Sequence, residues 1–570
     1  MELKGIAASA GYALGHVCFL KEISNDFAAT VLPEQREAER ERFLAAQVKA
    51  RLALEELKEK AAKTMGAHQA EVFAAHQMML EDPTLMEGIF EKIDSASASA
   101  EAAVSETVET IAAMFSAMND DYMRERAADI KDIGLRLLRI LQGIEDAAAY
   151  QGILAAQDLL PSDTASLDLD KVFGFVTALG GKTSHSSILA RAAGIPAVVG
   201  LGAQLAELKD GDMLIVDGHA GSVLVNPAQE VIEEYRLRQQ REKQLAARLA
   251  EIAHLPSVTT DGYEVELAAN IGTPENMTKA VAAGAEGVGL FRTEFLFLDK
   301  TSVPTEEEQY QAYKTVLEAL PKGKIVIRTL DAGGDKQLSF IGGLKEENPA
   351  LGLRAIRLCL VYRDVFKTQL RALLRAGVHG NLHIMFPMIA TLEELRTAKS
   401  LLQEAAAELT AEGVVHRKDV PVGIMVEVPA AAMLADELAQ EVAFFSIGTN
   451  DLVQYTMAAD RMNEHVATLS DYFQPPVIRL IGQVAKAAER HGKWVGMCGE
   501  MAGDVLSTPL LLGLGLTELS MNARSIPLVK YRVRQLQQTD AKELAEQVLK
   551  LSTASAIKAA LENFSTRFAD

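Results

Sequence analysis

With 570 residues, 49% of them hydrophobic and 24% charged, the chain is too long for a single binding module and too apolar for a disordered one; roughly three or four domains of ordinary globular composition are expected. Its 57 Lys and Arg face 78 Asp and Glu, and the net charge of −21 repels phosphate backbones and anionic lipid, which argues against nucleic acid as a partner. The three cysteines, Cys18, Cys359 and Cys498, form no close pair along the chain, which rules out a disulfide framework and a Cys-based zinc site and suits a reducing compartment.

The first twenty residues carry no basic segment, and glycines break their apolar stretch. No apolar run anywhere reaches the ~18 residues of a membrane span. A cytoplasmic protein without membrane insertion is expected. If its substrate is anionic, cations must be gathered locally against the overall charge, so arginines inside apolar runs are the informative ones.

Residues 3–20 alternate small, apolar and Gly residues and read as a strand or hairpin that needs partners elsewhere. From Pro33 the texture turns helical, with Pro at the start and Leu44, Val48 and Leu52 at helical spacing. Segments 67–80, 82–93 and 101–143 continue in Ala, Glu and Met without a strand signal, which predicts an all-helical block. Strand signals resume between residues 152 and 227 with GILAAQDLL, VFGFVTALG, PAVVG, DMLIVDG and SVLVNP, separated by turns such as KDGD. These are the missing partners for 3–20, so the helical block is expected to be an insertion into one β/α domain. Residues 228–256 read as a charged linker helix.

Beyond residue 257, eight strand-like segments alternate with helical patterns: VELAANI, GVGLFRTEF, IVIRTLD, LHIMFPMI, VGIMVEVP, FFSIGTND, WVGMCGEM and LTELSMN. Eight such units in roughly 270 residues predict a (β/α)8 barrel, whose site lies at the C-terminal ends of its strands. Those ends offer Arg292, then Arg328 with Asp331 and Lys336, then Glu427, then Asn450 and Asp451, then Cys498 and Glu500. Polar groups at the ends of buried strands are costly unless paired, and in a barrel they converge on one mouth. Paired guanidinium forks suit a phosphate or carboxylate. Glu427 and Asp451 suit Mg²⁺, which takes one or two carboxylates plus substrate oxygens. Any one of these residues alone could be a structural ion pair, and Cys498 alone either a small buried hydrophobe or an acid.

In the split domain, GGKTSH ends at His185, between the VFGFVTALG strand and a helix. There, free N–H groups and the positive end of the helix dipole stabilise a phosphate, and Thr183 or Ser184 could cap the helix. Spacing leaves His185 open between a structural role and that of a phosphate-bearing nucleophile.

The segments GGKTSHSSILARAAGIPAVVG, LFRTEFLF, IRTLDAGGDK, ENPALGLRAIR, GIMVEVPAA, SIGTNDLVQYTMAADR and GMCGEMAGD, with DLLPSDTA at 158–165, resemble the enzyme I family, the phosphoenolpyruvate-protein phosphotransferases of the bacterial sugar phosphotransferase system. The resemblance spans the whole chain. The related dikinase and synthase families need an additional ATP-binding domain for which there is no room, and a nitrogen-type homologue an N-terminal sensor domain.

What the resemblance implies is a multidomain α/β protein. Its parts are a swivelling phosphohistidine domain split over 1–20 and 146–227, an inserted helical HPr-binding domain at 21–145, a linker helix at 228–256, and a phosphoenolpyruvate-binding, dimerising (β/α)8 barrel at 257–570. Phosphoenolpyruvate would be bound by Arg292, Arg328, Arg461 and Asn450, helped by Lys336 and Arg354, with Mg²⁺ on Glu427 and Asp451. His185 would take the phosphoryl group, Cys498 would protonate the enolate, and the phosphocarrier HPr would be the acceptor. Two departures stand out: Lys182 where the family usually has Arg, and Leu353 where an aromatic commonly precedes Arg354. Two rival readings are a barrel lyase or aldolase that leaves His185 idle, and a phosphorelay partner whose barrel is scaffold.

Overall fold

A computed structural model describes residues 1–20, 27–64, 67–117, 121–144, 150–159, 171–181, 184–298, 300, 302–333, 346–461 and 463–568. The chain forms two compact units, Met1–Leu245 and Ala246–Asp570.

In the first unit, five helices follow one another: α1 (Arg36–Thr64), α2 (Ala67–Leu80), α3 (Pro83–Ala96), α4 (Ala100–Ser116) and α5 (Asp121–Leu141). The long 101–143 run is therefore two helices. Asp82 and Ser99 cap α3 and α4, their side-chain oxygens accepting from the N–H groups of Thr84 and Ala102. Phe43, Ala46, Ala50 and Leu54 of α1 are buried against Leu85, Ile89, Ile93, Val104 and Leu137. The stripe that signals this helix in the sequence faces solvent instead, with Leu44, Val48 and Leu52 exposed by 41%, 49% and 51%. Helical spacing reveals the period of a helix; the partners it packs against decide which face is buried.

The same unit holds an eight-stranded sheet from β1 (Glu2–Lys4), β2 (Ile6–Ser9), β3 (Tyr12–Phe19), β4 (Gly152–Ala156), β5 (Val172–Thr177), β6 (Ala197–Val199), β7 (Met213–Asp217) and β8 (Ser222–Val225), in the order β1-β8-β7-β3-β4-β5-β6-β2. Residues before the helical block thus supply three strands, one central and two at the edges. β1 and β2 are separated only by Gly5 yet stand at opposite ends of that order, so the sheet curls until its ends meet. Gly5 donates its N–H to Gly221 O at 2.9 Å, and a Cβ on Gly5 would lie 2.7 Å from Val199 O. Only glycine fits there. His185 opens the helix His185–Ala193, which follows β5. The boundary between the units falls within the helix Gln229–Ile252, which has no buried residue.

The second unit is a closed parallel barrel of β9 (Glu266–Ile271), β10 (Gly287–Phe291), β11 (Lys324–Arg328), β12 (Asn381–Phe386), β13 (Val422–Val426), β14 (Phe444–Ile447), β15 (Trp494–Met497) and β16 (Glu518–Met521). β16 closes on β9 with Glu518 opposite Glu266. These are the eight strands expected from the sequence. Leu290, Val326, Met385, Met425 and Phe444 form one buried cluster with Cys498, separate from the much larger core that packs the strands against their helices. With the barrel filled in this way, most of its charged groups stand at the strand ends. No helix among the described residues is long and apolar enough to cross a membrane.

Candidate active site

A cavity of about 690 Å³ opens at the C-terminal ends of the barrel strands, and Arg292, Arg328, Arg354, Glu427, Asn450, Asp451, Arg461 and Cys498 all line it. Lys336, Lys182, Thr183 and residues 160–165 of DLLPSDTA lie outside the described residues.

The cations fall into two kinds. Arg328, the last residue of β11, is buried, with Nη2 at 2.6 Å from Glu294 Oε1 and Nη1 at 2.8 Å from Asp331 Oδ2. Asp331 also binds Arg354, whose Nη2 lies 3.0 Å from Asp331 Oδ1 and whose Nη1 donates to Tyr455 OH at 3.1 Å. Both guanidiniums keep a buried Nε without a hydrogen-bond partner among the described residues. Arg292, just after β10, and Arg461 are exposed, and among the described residues neither has a carboxylate partner. The buried pair is thus held by carboxylates, whereas the exposed pair lines the cavity without one among the described residues.

Facing them are the carboxylates. Glu427 follows β13 and is buried, its Oε1 accepting from the Met388 N–H at 2.7 Å. Met388 holds φ = 57°, a left-handed conformation that a non-glycine residue adopts only where its surroundings impose it. That turn aims the N–H at Glu427. Asp451 sits in the first turn of the helix Thr449–Met457, with Oδ2 3.6 Å from Arg354 Nη2 and a buried Oδ1 that has no partner among the described residues. Burial, then the charges of Asp451 and Asp331, hold the Glu427 carboxyl well above the usual carboxylate range. A divalent cation would relieve this crowding and satisfy the orphan oxygen of Asp451, so the pair fits Mg²⁺.

Cys498 follows β15, its N–H donating to Ile447 O at 3.0 Å. Burial pushes its thiol up to about 11, so it stays protonated at neutral pH and can serve as an acid. Asn450 is held by Glu500, donating from Nδ2 to Glu500 Oε1 at 3.3 Å and accepting the Glu500 N–H at 3.2 Å. In the first unit, Ser184 caps the helix that begins at His185; its Oγ accepts the Ser187 N–H at 3.4 Å, while Ser187 Oγ donates to Gly181 O at 2.7 Å. His185 thus stands at a helix start, the position its motif implies.

The profile of the PEP-utilising enzyme PEP-binding domain matches residues 246–538 and so contains every barrel residue named above. That of the PEP-utilising enzyme mobile domain matches 149–221, around His185, and that of the PEP-utilising enzyme N-terminal region matches 4–126. A phosphoenolpyruvate-protein phosphotransferase of Bacillus sp. (strain S) is 50% identical over 97% of this chain and 96% of its own length. One of Bacillus subtilis (strain 168) is 47% identical over 98% of each. The chain belongs to the phosphoenolpyruvate-protein phosphotransferase family. A solution structure of Enzyme I (nEIt) is 37% identical over 42% of this chain and 99% of its own, with a TM-score of 0.37.

Three residues of the site are not singled out by sequence reasoning. Glu294 binds Arg328, and its signal is its place two residues after Arg292 in FRTEF. Met388 and Tyr455 act through a backbone N–H and through a contact to Arg354, neither of which leaves a mark in the sequence.

Proposed function

We propose that this protein transfers the phosphoryl group of phosphoenolpyruvate to its own His185 and then to a histidine of the phosphocarrier HPr, releasing pyruvate, the first step of the sugar phosphotransferase system. The observation that carries this reading is one cavity joining four arginines, the Glu427–Asp451 pair and a protonated thiol.

Phosphoenolpyruvate binds in the barrel mouth. Arg292 and Arg461 take its phosphate as free forks, while Arg328, held by Glu294 and Asp331, offers its charge from a fixed position. Asn450 and Arg354 complete the cradle, and Lys336 joins it by resemblance alone. Glu427 and Asp451 would hold Mg²⁺, which when bound would supply positive charge to neutralise the phosphate oxygens. Phosphoryl transfer makes little covalent demand on a protein, so alignment and charge neutralisation carry most of the catalysis. His185 attacks phosphorus as the P–O bond to the enol oxygen breaks. Cys498 then gives its proton to C3 of the enolate, forming pyruvate.

HPr is the acceptor. The exposed Leu44, Val48 and Leu52 stripe on α1 offers the helical block a docking face, and the acidic chain suits a basic carrier. A homodimer through the barrel belongs to the same reading, and sedimentation velocity tests it. The deciding experiment incubates the protein with Mg²⁺ and phosphoenolpyruvate carrying labelled phosphate. Acid-labile label on the protein, pyruvate release and onward transfer to HPr are expected, with none on His185→Ala. Label on His185→Ala would overturn the assignment; pyruvate release with no labelled protein would favour a barrel lyase.

A further inference from the structure

Cys498 stands just beyond the last residue of β15, where the barrel ladder no longer holds its carbonyl: β15 pairs with β16 only as far as Met497 opposite Leu519. Its N–H remains tied to Ile447 O on the β14 side. On the other side the tie comes from a side chain. Asn270, near the end of β9, donates from Nδ2 to Cys498 O at 2.9 Å. Its Oδ1 accepts from Ser520 Oγ, on β16, at 2.6 Å. The orientation of the amide is unambiguous, because a carbonyl can only accept, so Nδ2 must face Cys498.

The barrel also reserves space for this relay. Ser520 is fully buried, and a Cβ on Gly289 of β10 would lie 2.6 Å from Ser520 Oγ. On the far side of Cys498, a Cβ on Gly499 would lie 1.8 Å from Thr449 Oγ1. The peptide that carries the thiol is thus fixed at both ends, by a strand on one side and by the Ser520–Asn270 relay on the other.

We infer that Asn270, oriented by Ser520, is a positioning residue for proton delivery: by holding the Cys498 carbonyl it aims the thiol at one face of the enolate. The inference rests on the reading of Cys498 as the acid. When the phosphoryl group has left the enol oxygen, C3 of the enolate takes the thiol proton; the C–H bond forms as the S–H bond breaks, leaving pyruvate and a thiolate that regains a proton from water. Asn270 takes no part in the transfer of phosphorus, and its loss is felt in the second step alone.

The test uses the full-length protein, Mg²⁺ and phosphoenolpyruvate bearing tritium stereospecifically at C3, turned over in deuterium oxide. Protonation by a fixed acid gives pyruvate with a chiral methyl group, whereas enolpyruvate that escapes and ketonises in solution gives a racemic one. Wild type is expected to give chiral pyruvate. Asn270→Asp, isosteric but without the donor, is expected to form phosphohistidine in a rapid-quench burst near the wild-type rate while delivering the proton about tenfold more slowly and with lost facial selectivity, a part of the ~10²–10⁴-fold that a general acid contributes. Ser520→Ala should show the same pattern more weakly, and it serves in place of Asn270→Asp if that variant does not fold.

Equal losses in burst and protonation would make Asn270 merely structural, and full selectivity in both variants would overturn the inference. Cys498→Ala separates the two layers. Retained selectivity in Cys498→Ala sinks the acid assignment itself, whereas lost selectivity there with full selectivity in Asn270→Asp and Ser520→Ala sinks only the positioning role.

Discussion

β11 begins with Lys324 and ends with Arg328, and the two cations live in opposite circumstances. At the base of the barrel Lys324 lies 2.6 Å from Glu266 and 3.1 Å from Glu518, and its Nζ stands 3.7 Å from the centroid of the Trp494 ring, which stacks on Phe444. At the mouth, Arg328 is paired with Glu294 and Asp331 yet keeps a buried Nε without a partner among the described residues, and Asp451 nearby keeps a buried oxygen that likewise has none among them. The base closes its charges on one another, and although Glu518 Oε1 has no hydrogen-bond partner among the described residues, it lies in close packing, where a Cβ on Gly289 would come within 2.5 Å of it. The mouth holds donors and acceptors in place and leaves part of their capacity for a ligand. Charge of one kind therefore serves stability at one end of a strand and substrate at the other, and the difference lies in where the unpaired atoms stand, beside an open cavity at the mouth and in close packing at the base.

The comparison breaks most visibly at the base. Lys324→Met leaves Glu266 and the buried Glu518 carboxyl facing one another, and breaking such a pair costs about 3–5 kcal/mol. A large drop in Tm with unchanged turnover per folded molecule is expected from calorimetry and steady-state assays; lost turnover in the folded fraction would show that the base reaches the chemistry.

At the mouth the loss is expected in turnover. Arg328→Lys keeps one charge but cannot span Glu294 and Asp331 with a planar fork, so turnover per folded molecule should fall about a hundredfold or more, equivalent to ~3 kcal/mol of transition-state stabilisation. Unchanged kinetics would place Arg328 outside the site. Cys498→Ala removes the acid and leaves the cations and carboxylates in place. Phosphohistidine should still form, while pyruvate formation slows by about a hundredfold or more. Rapid-quench comparison of the two products reads this directly, and wild-type rates for both would reduce Cys498 to packing.

The smallest effect concerns pH. Burial, offset in part by Lys324, pushes the Glu518 carboxyl up to about 7, so the folded protein holds a proton that the unfolded chain has already released. The stability this adds is complete below the ordinary carboxylate range and is lost as pH rises through about 7. Glu518→Gln carries no such proton. Its Tm relative to wild type should therefore rise by a few degrees between about pH 5 and pH 8; a constant difference would mean that Glu518 stays charged throughout.

The strands of the barrel and the residues at their ends are legible in the sequence, because strands buried on both faces read as unbroken apolar runs and the first polar residue after each run must stand at the mouth. Arg292, Arg328, Glu427 and Cys498 follow from that rule, Asp451 stands in the polar TND segment just beyond β14, and the helix start at His185 follows from turn chemistry before a helical pattern. Partnership does not follow from it. Met388 meets Glu427, and Asn270 meets Cys498 across 228 residues of chain, only because barrel closure brings separate strand ends together. The same limit explains α1, where spacing marks a helix but neighbouring helices choose Phe43 and Leu54 over Leu44 and Leu52 for the core. Local sequence determined element type and the kind of chemistry available. Only the tertiary structure decided which charges are closed off and which are left open, because pairing depends on distances between residues far apart in the chain.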